Sequence, residues 1–180
     1  PSTVVDRHRG GDCATHMSKP IRSRLSRQAN ETFVGREQEL ATLLEVLGND
    51  SPIVVYLSGI AGAGKSTLLS NFAERASTAG AVVHVMDCRL IEPTRRGFLN
   101  EIGHLTGSVV TNLEDAVDSL GRPDHRVVLG LDHYETCLLM DTWLRREFLP
   151  ALPETYRMLI ASRQPPVPLW LTSPRWHGLF

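Results

Sequence analysis

From Glu37 the apolar residues Leu40, Leu43, Leu44 and Leu47 recur at i, i+3, i+4 and i+7, one face of a helix that Gly48-Asn49-Asp50 closes. After Pro52 the period changes. Ile53-Val54-Val55-Tyr56-Leu57 is apolar throughout and rich in β-branched residues, the pattern of a strand covered on both faces of a parallel sheet. A glycine-rich stretch follows, and helical spacing returns with Leu68, Leu69, Phe72, Ala73 and Ala76 until Gly80. Residues 81 to 86 read as a second strand, and Glu92 to Leu105 and Asn112 to Leu120 as two helices, the first interrupted by Gly97 and Gly103. Val127 to Leu131 is a third buried strand, ending in Asp132. Leu139, Trp143, Leu144 and Phe148 suit one helix face before Pro150 and Pro153 stop it, and Tyr156 to Ala161 is a fourth strand. The tail from Gln164 carries prolines at 165, 166, 168 and 174 and shows no element apart from a strand beginning near Leu179. Strands alternating with helices predict an α/β, three-layer fold around a parallel sheet with right-handed crossovers.

Composition narrows the class. The chain of 180 residues holds one well-buried core, and its 42% hydrophobic and 22% charged residues are ordinary for a globular domain. No apolar run reaches the roughly 18 residues of a membrane span, and a formal charge of -1 makes no global case for nucleic acid or an anionic membrane. Residues 1–30 lack periodicity and carry the basic stretch Lys19, Arg22, Arg24 and Arg27, the signature of a disordered arm without the aromatics that stack on bases. Within it, His16-Met17 reads as a cloning junction or an internal start. Residues 31–180 are then the folded domain. Cys13, Cys88 and Cys137 are odd in number and lack metal-ligand spacing, which predicts free thiols and a cytoplasmic location.

The chemistry concentrates between the first strand and the following helix, in Gly59-Ile60-Ala61-Gly62-Ala63-Gly64-Lys65-Ser66-Thr67. A loop that wraps phosphate oxygens in backbone N–H groups needs glycine where a side chain would block the approach or φ must be positive, and Gly59, Gly62 and Gly64 provide it. Lys65 then reaches the β and γ phosphates, Ser66 offers its hydroxyl to Mg2+, and the next helix aims its positive N-terminus at the same charge. At average residue frequencies the pattern arises by chance in under roughly 1% of chains of this length. The loop predicts ATP or ADP with Mg2+ as ligands. Asp132, at the end of a neighbouring strand, is placed to hold the ion, although Asp also caps helices at such turns. Glu135 either polarises an attacking water or belongs to a helical first turn, and His133 reads as a surface residue.

Four segments together resemble the signal-transduction ATPases with numerous domains (STAND), a branch of the AAA-like P-loop ATPases, and within it the bacterial transcription-activator type. They are Phe33-Val34-Gly35-Arg36-Glu37, the phosphate loop to Thr67, Val128 to Glu135, and Ile160-Ala161-Ser162-Arg163 followed by two prolines. The resemblance spans roughly residues 32 to 180. It implies a sheet of strand order 5-1-4-3-2 with the fifth strand barely reached, and Val34, Gly35 and Arg36 beside the adenine. It also implies that Arg163 senses the γ phosphate and that the domain is a switch, closed with ADP and assembling with itself or a partner protein when ATP is bound. His133 stands where fast motors of the wider class carry glutamate, which implies slow hydrolysis. The lid, winged-helix and sensor domains expected downstream lie beyond Phe180, and any contact with nucleic acid would be theirs. Two other readings remain: an origin-recognition or DNA-loading ATPase, which shares the Gly-Arg-Glu box, and a small-molecule kinase. No Asn-Lys-x-Asp guanine signature and no Leu-Ser-Gly-Gly-Gln stretch occurs, which argues against GTP and against a transporter ATPase.

Overall fold

The computed structural model describes residues 36–48, 52–121 and 125–173, all of them within one compact unit, Phe33–Phe180. The elements follow the hydrophobic periods closely. Helix α1 (Glu37–Leu44) continues as a 3-10 turn over Glu45–Leu47, and strand β1 (Val54–Ser58) leads through the glycine loop to helix α2 (Lys65–Thr78). Strand β2 (Val82–Asp87), helices α3 (Arg95–Thr106) and α4 (Leu113–Leu120), strand β3 (Val127–Asp132) and strand β4 (Tyr156–Ser162) complete the frame.

All four strands are parallel, in the order β1-β4-β3-β2, which is the 1-4-3-2 part of the expected sheet. The fifth strand anticipated near Leu179 lies outside the described residues, as do the arm of residues 1–30, Val34 and Gly35. Because side chains alternate across a strand, β3 feeds two separate cores. Val127, Leu129 and Leu131 pack with Phe98, Ile102, Ala116, Leu120, Trp143 and Phe148 beneath α3 and α4. Val128, with Leu159 and Ala161 of β4, packs instead on Leu40, Leu43, Leu68, Leu69 and Phe72 of α1 and α2. The result is a three-layer sandwich. β1 departs from its expected burial on both faces: only Val54 is buried, and Val55, Tyr56 and Leu57 are half-buried, because the strand pairs on one side alone among the described residues.

Three details correct the sequence reading. First, α3 begins at Arg95, three residues later than expected, because Thr94 caps it by accepting the Gly97 N–H at 3.0 Å. Its glycines do not interrupt it. A Cβ at Gly97 would stand 2.3 Å from the Glu92 carbonyl oxygen and one at Gly103 would stand 2.8 Å from that of Ser108, so both answer to close backbone approach. Second, the segment after β3 is a broken helix: 3-10 turns at Tyr134–Thr136 and Leu138–Met140, short α5 (Asp141–Trp143), a π-helical Leu144–Phe148 and short α6 (Leu149–Ala151). Leu139 therefore leaves the expected apolar face and is 87% exposed, and Pro150 lies in the first turn of α6, where its missing N–H is tolerated. Third, the proline-rich tail contains helix α7 (Pro168–Thr172), held by Trp170, which is 1% exposed. Trp170 Nε1–H and the Tyr134 hydroxyl both donate to Asp141 Oδ1, at 2.8 and 3.0 Å, and Arg145 Nε donates to Asp141 Oδ2 at 2.7 Å. Among the described residues, no helix is long and apolar enough to cross a membrane.

Candidate functional site

In a parallel sheet every strand ends on the same edge, and ligands gather there. Here that edge carries Ser58 leading into the glycine loop, Asp87, Asp132 and Ser162, with Asp87 paired in register with Asp132 and Ser58 with Ser162. A cleft of about 280 Å3 opens above it, lined among others by Gly62, Gly64, Lys65, Ser66, Thr67, Asp132, His133, Glu135 and Arg163.

The loop takes its shape from two left-handed glycines, Gly62 at φ 79° and Gly64 at φ 76°, a conformation costly for residues with a Cβ. Gly64 is also the residue before α2, and neither a side-chain cap nor an acidic residue occupies that helix's first turn. The first N–H groups of a 14-residue helix thus face the cleft without a side-chain acceptor of their own. Lys65 Nζ donates to the carbonyls of Gly59 and Ile60 at 2.7 and 3.0 Å, which holds the ammonium over the loop. Arg36 braces the loop from outside, donating from Nη1 to the Ala63 carbonyl at 2.5 Å while its Nε pairs with Glu39 at 3.1 Å.

Opposite the loop, the β3 carboxylate Asp132 accepts the His133 N–H on Oδ1 at 2.9 Å. His133 corrects the sequence reading. Its side chain is only 16% exposed, its backbone turns in the left-handed region at φ 54°, and Nδ1 lies 3.4 Å from Asp132 Oδ2 and 3.5 Å from Asp87 Oδ1. Asp87 was not anticipated. A side-chain bond from Arg89, 2.6 Å at its shortest, holds its carboxyl below the usual range against the opposing effect of burial. Its place beside Asp132 follows from the register of β2 on β3.

Glu135 lies in the 3-10 turn after β3 and accepts the Arg163 backbone N–H on Oε2 at 2.9 Å, while Arg163 Nε stands 3.3 Å from Oε1. Burial would raise the Glu135 pKa, but the Arg163 N–H and the nearby His133 outweigh it and hold the carboxylate ionised. The Arg163 side chain, 54% exposed, reaches the cleft from the end of β4.

The structure thus gathers Gly62, Gly64, Lys65, Ser66, Thr67, Asp132, Glu135 and Arg163 around one cleft, with Gly59 joined through its bond to Lys65. Ala63 and Arg36 meet at the back of the loop, and Val34 and Gly35 lie outside the described residues. The donors fit a nucleotide phosphate: a cation, an open helix N-terminus and two left-handed glycines face one volume. The Ser66 hydroxyl and the Asp132 carboxylate line the same volume and are oxygen ligands of the kind a divalent ion takes beside phosphate and water.

Comparison with known proteins agrees with this geometry. Residues 32–103 match the family model of the AAA ATPase domain. No curated protein matches the chain. Among solved structures, Drosophila ORC bound to DNA is similar at a TM-score of 0.58 and 20% identity, over 79% of this chain and 41% of that one. The Aeropyrum pernix ORC1 protein in complex with DNA gives 0.57 and 23%, over 80% and 43%. Drosophila ORC bound to AT-rich DNA and Cdc6 gives 0.51 and 15%, over 88% and 57%. The chain spans less than two thirds of the length of each of these proteins. At these identities the likeness is one of fold, that of an AAA-like P-loop ATPase domain, and the family match covers the part of the chain that carries the phosphate loop.

Proposed function

We propose that this domain binds ATP with Mg2+ in the cleft at the sheet edge, hydrolyses it slowly and acts as a nucleotide-dependent switch. The observation that supports it most is the convergence of Lys65, the open start of α2, Asp132 and Arg163 on one volume of about 280 Å3, near the lower end of the roughly 300 to 1,000 Å3 usual for ligand pockets. The loop N–H groups and the start of α2 hold the β and γ phosphates. Lys65 exchanges its bonds to the Gly59 and Ile60 carbonyls for phosphate oxygens, which are better acceptors because they are charged. Ser66 and Asp132 hold Mg2+, which when bound neutralises developing charge on the phosphates. Thr67 lines the same volume. Glu135 orients a water toward the γ phosphate, and Arg163 reads that phosphate by exchanging its contact with Glu135 for a terminal oxygen. His133, in place of glutamate, packs between two carboxylates, which favours slow turnover.

Two outputs suit such a switch. Regulation of signalling or transcription follows from the STAND-like order of the four segments, with assembly in the ATP state. DNA loading is favoured by the likeness of fold to ORC proteins that were solved on DNA. Fluorescence anisotropy of labelled duplex DNA, with this domain extended by the residues that follow it and loaded with a non-hydrolysable ATP analogue, separates the two. Nucleotide-dependent DNA binding supports loading, whereas self-assembly without DNA binding supports the signalling switch. Failure to bind nucleotide at all removes both.

A further inference from the structure

Two buried thiols lie in the turns that follow β2 and β3 and take no part in the proposed reaction. Cys88 follows Asp87 directly, in the 3-10 turn Cys88–Leu90 after β2, and Cys137 ends the turn that carries Glu135 after β3. Both are free and buried, 2% and 1% exposed. Cys137 Sγ–H donates to the Cys88 carbonyl oxygen at 3.7 Å, which sets the Cys137 thiol against the residue that carries the other one. We propose that Cys88 and Cys137 form a peroxide-responsive dithiol site, which on oxidation closes into a disulfide joining the turn after β2 to the turn after β3.

The two sulfurs have different roles. The neighbouring Cys88 thiol favours a thiolate on Cys137 and lowers its pKa against the effect of burial, while the same pairing and burial push the Cys88 thiol up. Cys137 is therefore the sulfur that attacks. Its thiolate displaces hydroxide from hydrogen peroxide and becomes the sulfenic acid. Cys88, losing its proton, attacks that sulfur, and the sulfenic oxygen leaves as water. Overall two thiols and one peroxide give one disulfide and two waters, with both electrons passing to the peroxide. Access for so small an oxidant comes from opening of the short 3-10 turns on either side, whose hydrogen bonds are weaker than those of an α-helix. The bond would tie the turn that follows Asp87 to the turn that carries Glu135 to the cleft.

The test is peptide mapping of the full chain after hydrogen peroxide treatment and alkylation of the remaining thiols. A Cys88–Cys137 cross-link that dithiothreitol reverses, with Cys13 still alkylated, supports the site. Independent alkylation of Cys88 and Cys137, or a cross-link through Cys13, overturns it. Single serine variants then test the order of attack. With Cys88→Ser, Cys137 should accumulate as a sulfenic acid trapped by dimedone, and with Cys137→Ser, Cys88 should stay reduced. The reverse pattern overturns the assignment of Cys137 as nucleophile. Neither readout depends on nucleotide binding, so the dithiol and the ATP reading stand or fall separately.

Discussion

Asp132 and Asp141, nine residues apart, show two uses of the same side chain. Asp141 is 4% exposed, and its carboxylate is saturated by the Tyr134 hydroxyl, the Trp170 indole N–H and Arg145. Asp132 is 14% exposed at its side chain, lines the cleft, and accepts a bond from the N–H of the next residue. One carboxylate is committed to the fold, tying the segment after β3 to α7. The other is held in place but left with acceptor capacity facing outward. The helix starts divide in the same way. Asn112 caps α4 by accepting the Asp115 N–H at 2.9 Å, whereas α2 begins at a left-handed glycine with no side-chain cap. A polar group left open at the end of a regular element is a more specific sign of a site than a polar group that is merely buried.

Substitutions should divide along the same line. The largest expected effect is at Asp141: Asp141→Ala leaves Arg145, 4% exposed, buried without its counter-charge, and should cost about 3 to 5 kcal/mol of stability. Urea denaturation followed by tryptophan fluorescence measures it, and a loss under about 1 kcal/mol would mean the cluster is not the anchor described. At Arg163, removal of a contact made only with the γ phosphate should cost about 1.5 to 3 kcal/mol in affinity for a non-hydrolysable ATP analogue and little for ADP. Calorimetric titration of Arg163→Ala with both nucleotides checks this, and equal losses would leave the arginine as an exposed partner of Glu135. Asp132→Asn should weaken the magnesium-dependent part of ATP binding by about 10- to 100-fold, with the magnesium-free part and the melting temperature nearly unchanged. If both parts fell together, Asp132 would be structural after all. The smallest effect is at the capped helix. Asn112→Ala should lower stability by about 1 kcal/mol and leave nucleotide affinity untouched.

The layers of the fold were legible because β1, β3 and β4 are written as apolar runs and α1 and α2 as helical stripes. The phosphate loop was legible because its spacing is local. What escaped depends on register and on contacts far apart in the chain. Nothing within β2 says that Asp87 will stand beside Asp132, since that follows only from the pairing of Val82 with Val127. The contact of Arg163 with Glu135 joins residues 28 apart. α7 was missed because it has a single buried anchor, Trp170, between Leu169 and Leu171, which are 51% and 62% exposed, so no apolar period marks it. The inward position of His133 depends on a left-handed turn that its residue type does not announce.

Titration of a fluorescent ATP analogue into wild type and Lys65→Ala, in the presence of magnesium, tests the central claim most directly. Lys65 carries the ammonium held over the loop by two carbonyls, so its truncation removes the cation meant for phosphate and nothing from either core. The account predicts saturable binding by the wild type and none by Lys65→Ala, with the two circular-dichroism spectra superimposable. Undiminished affinity in a folded Lys65→Ala variant would contradict it.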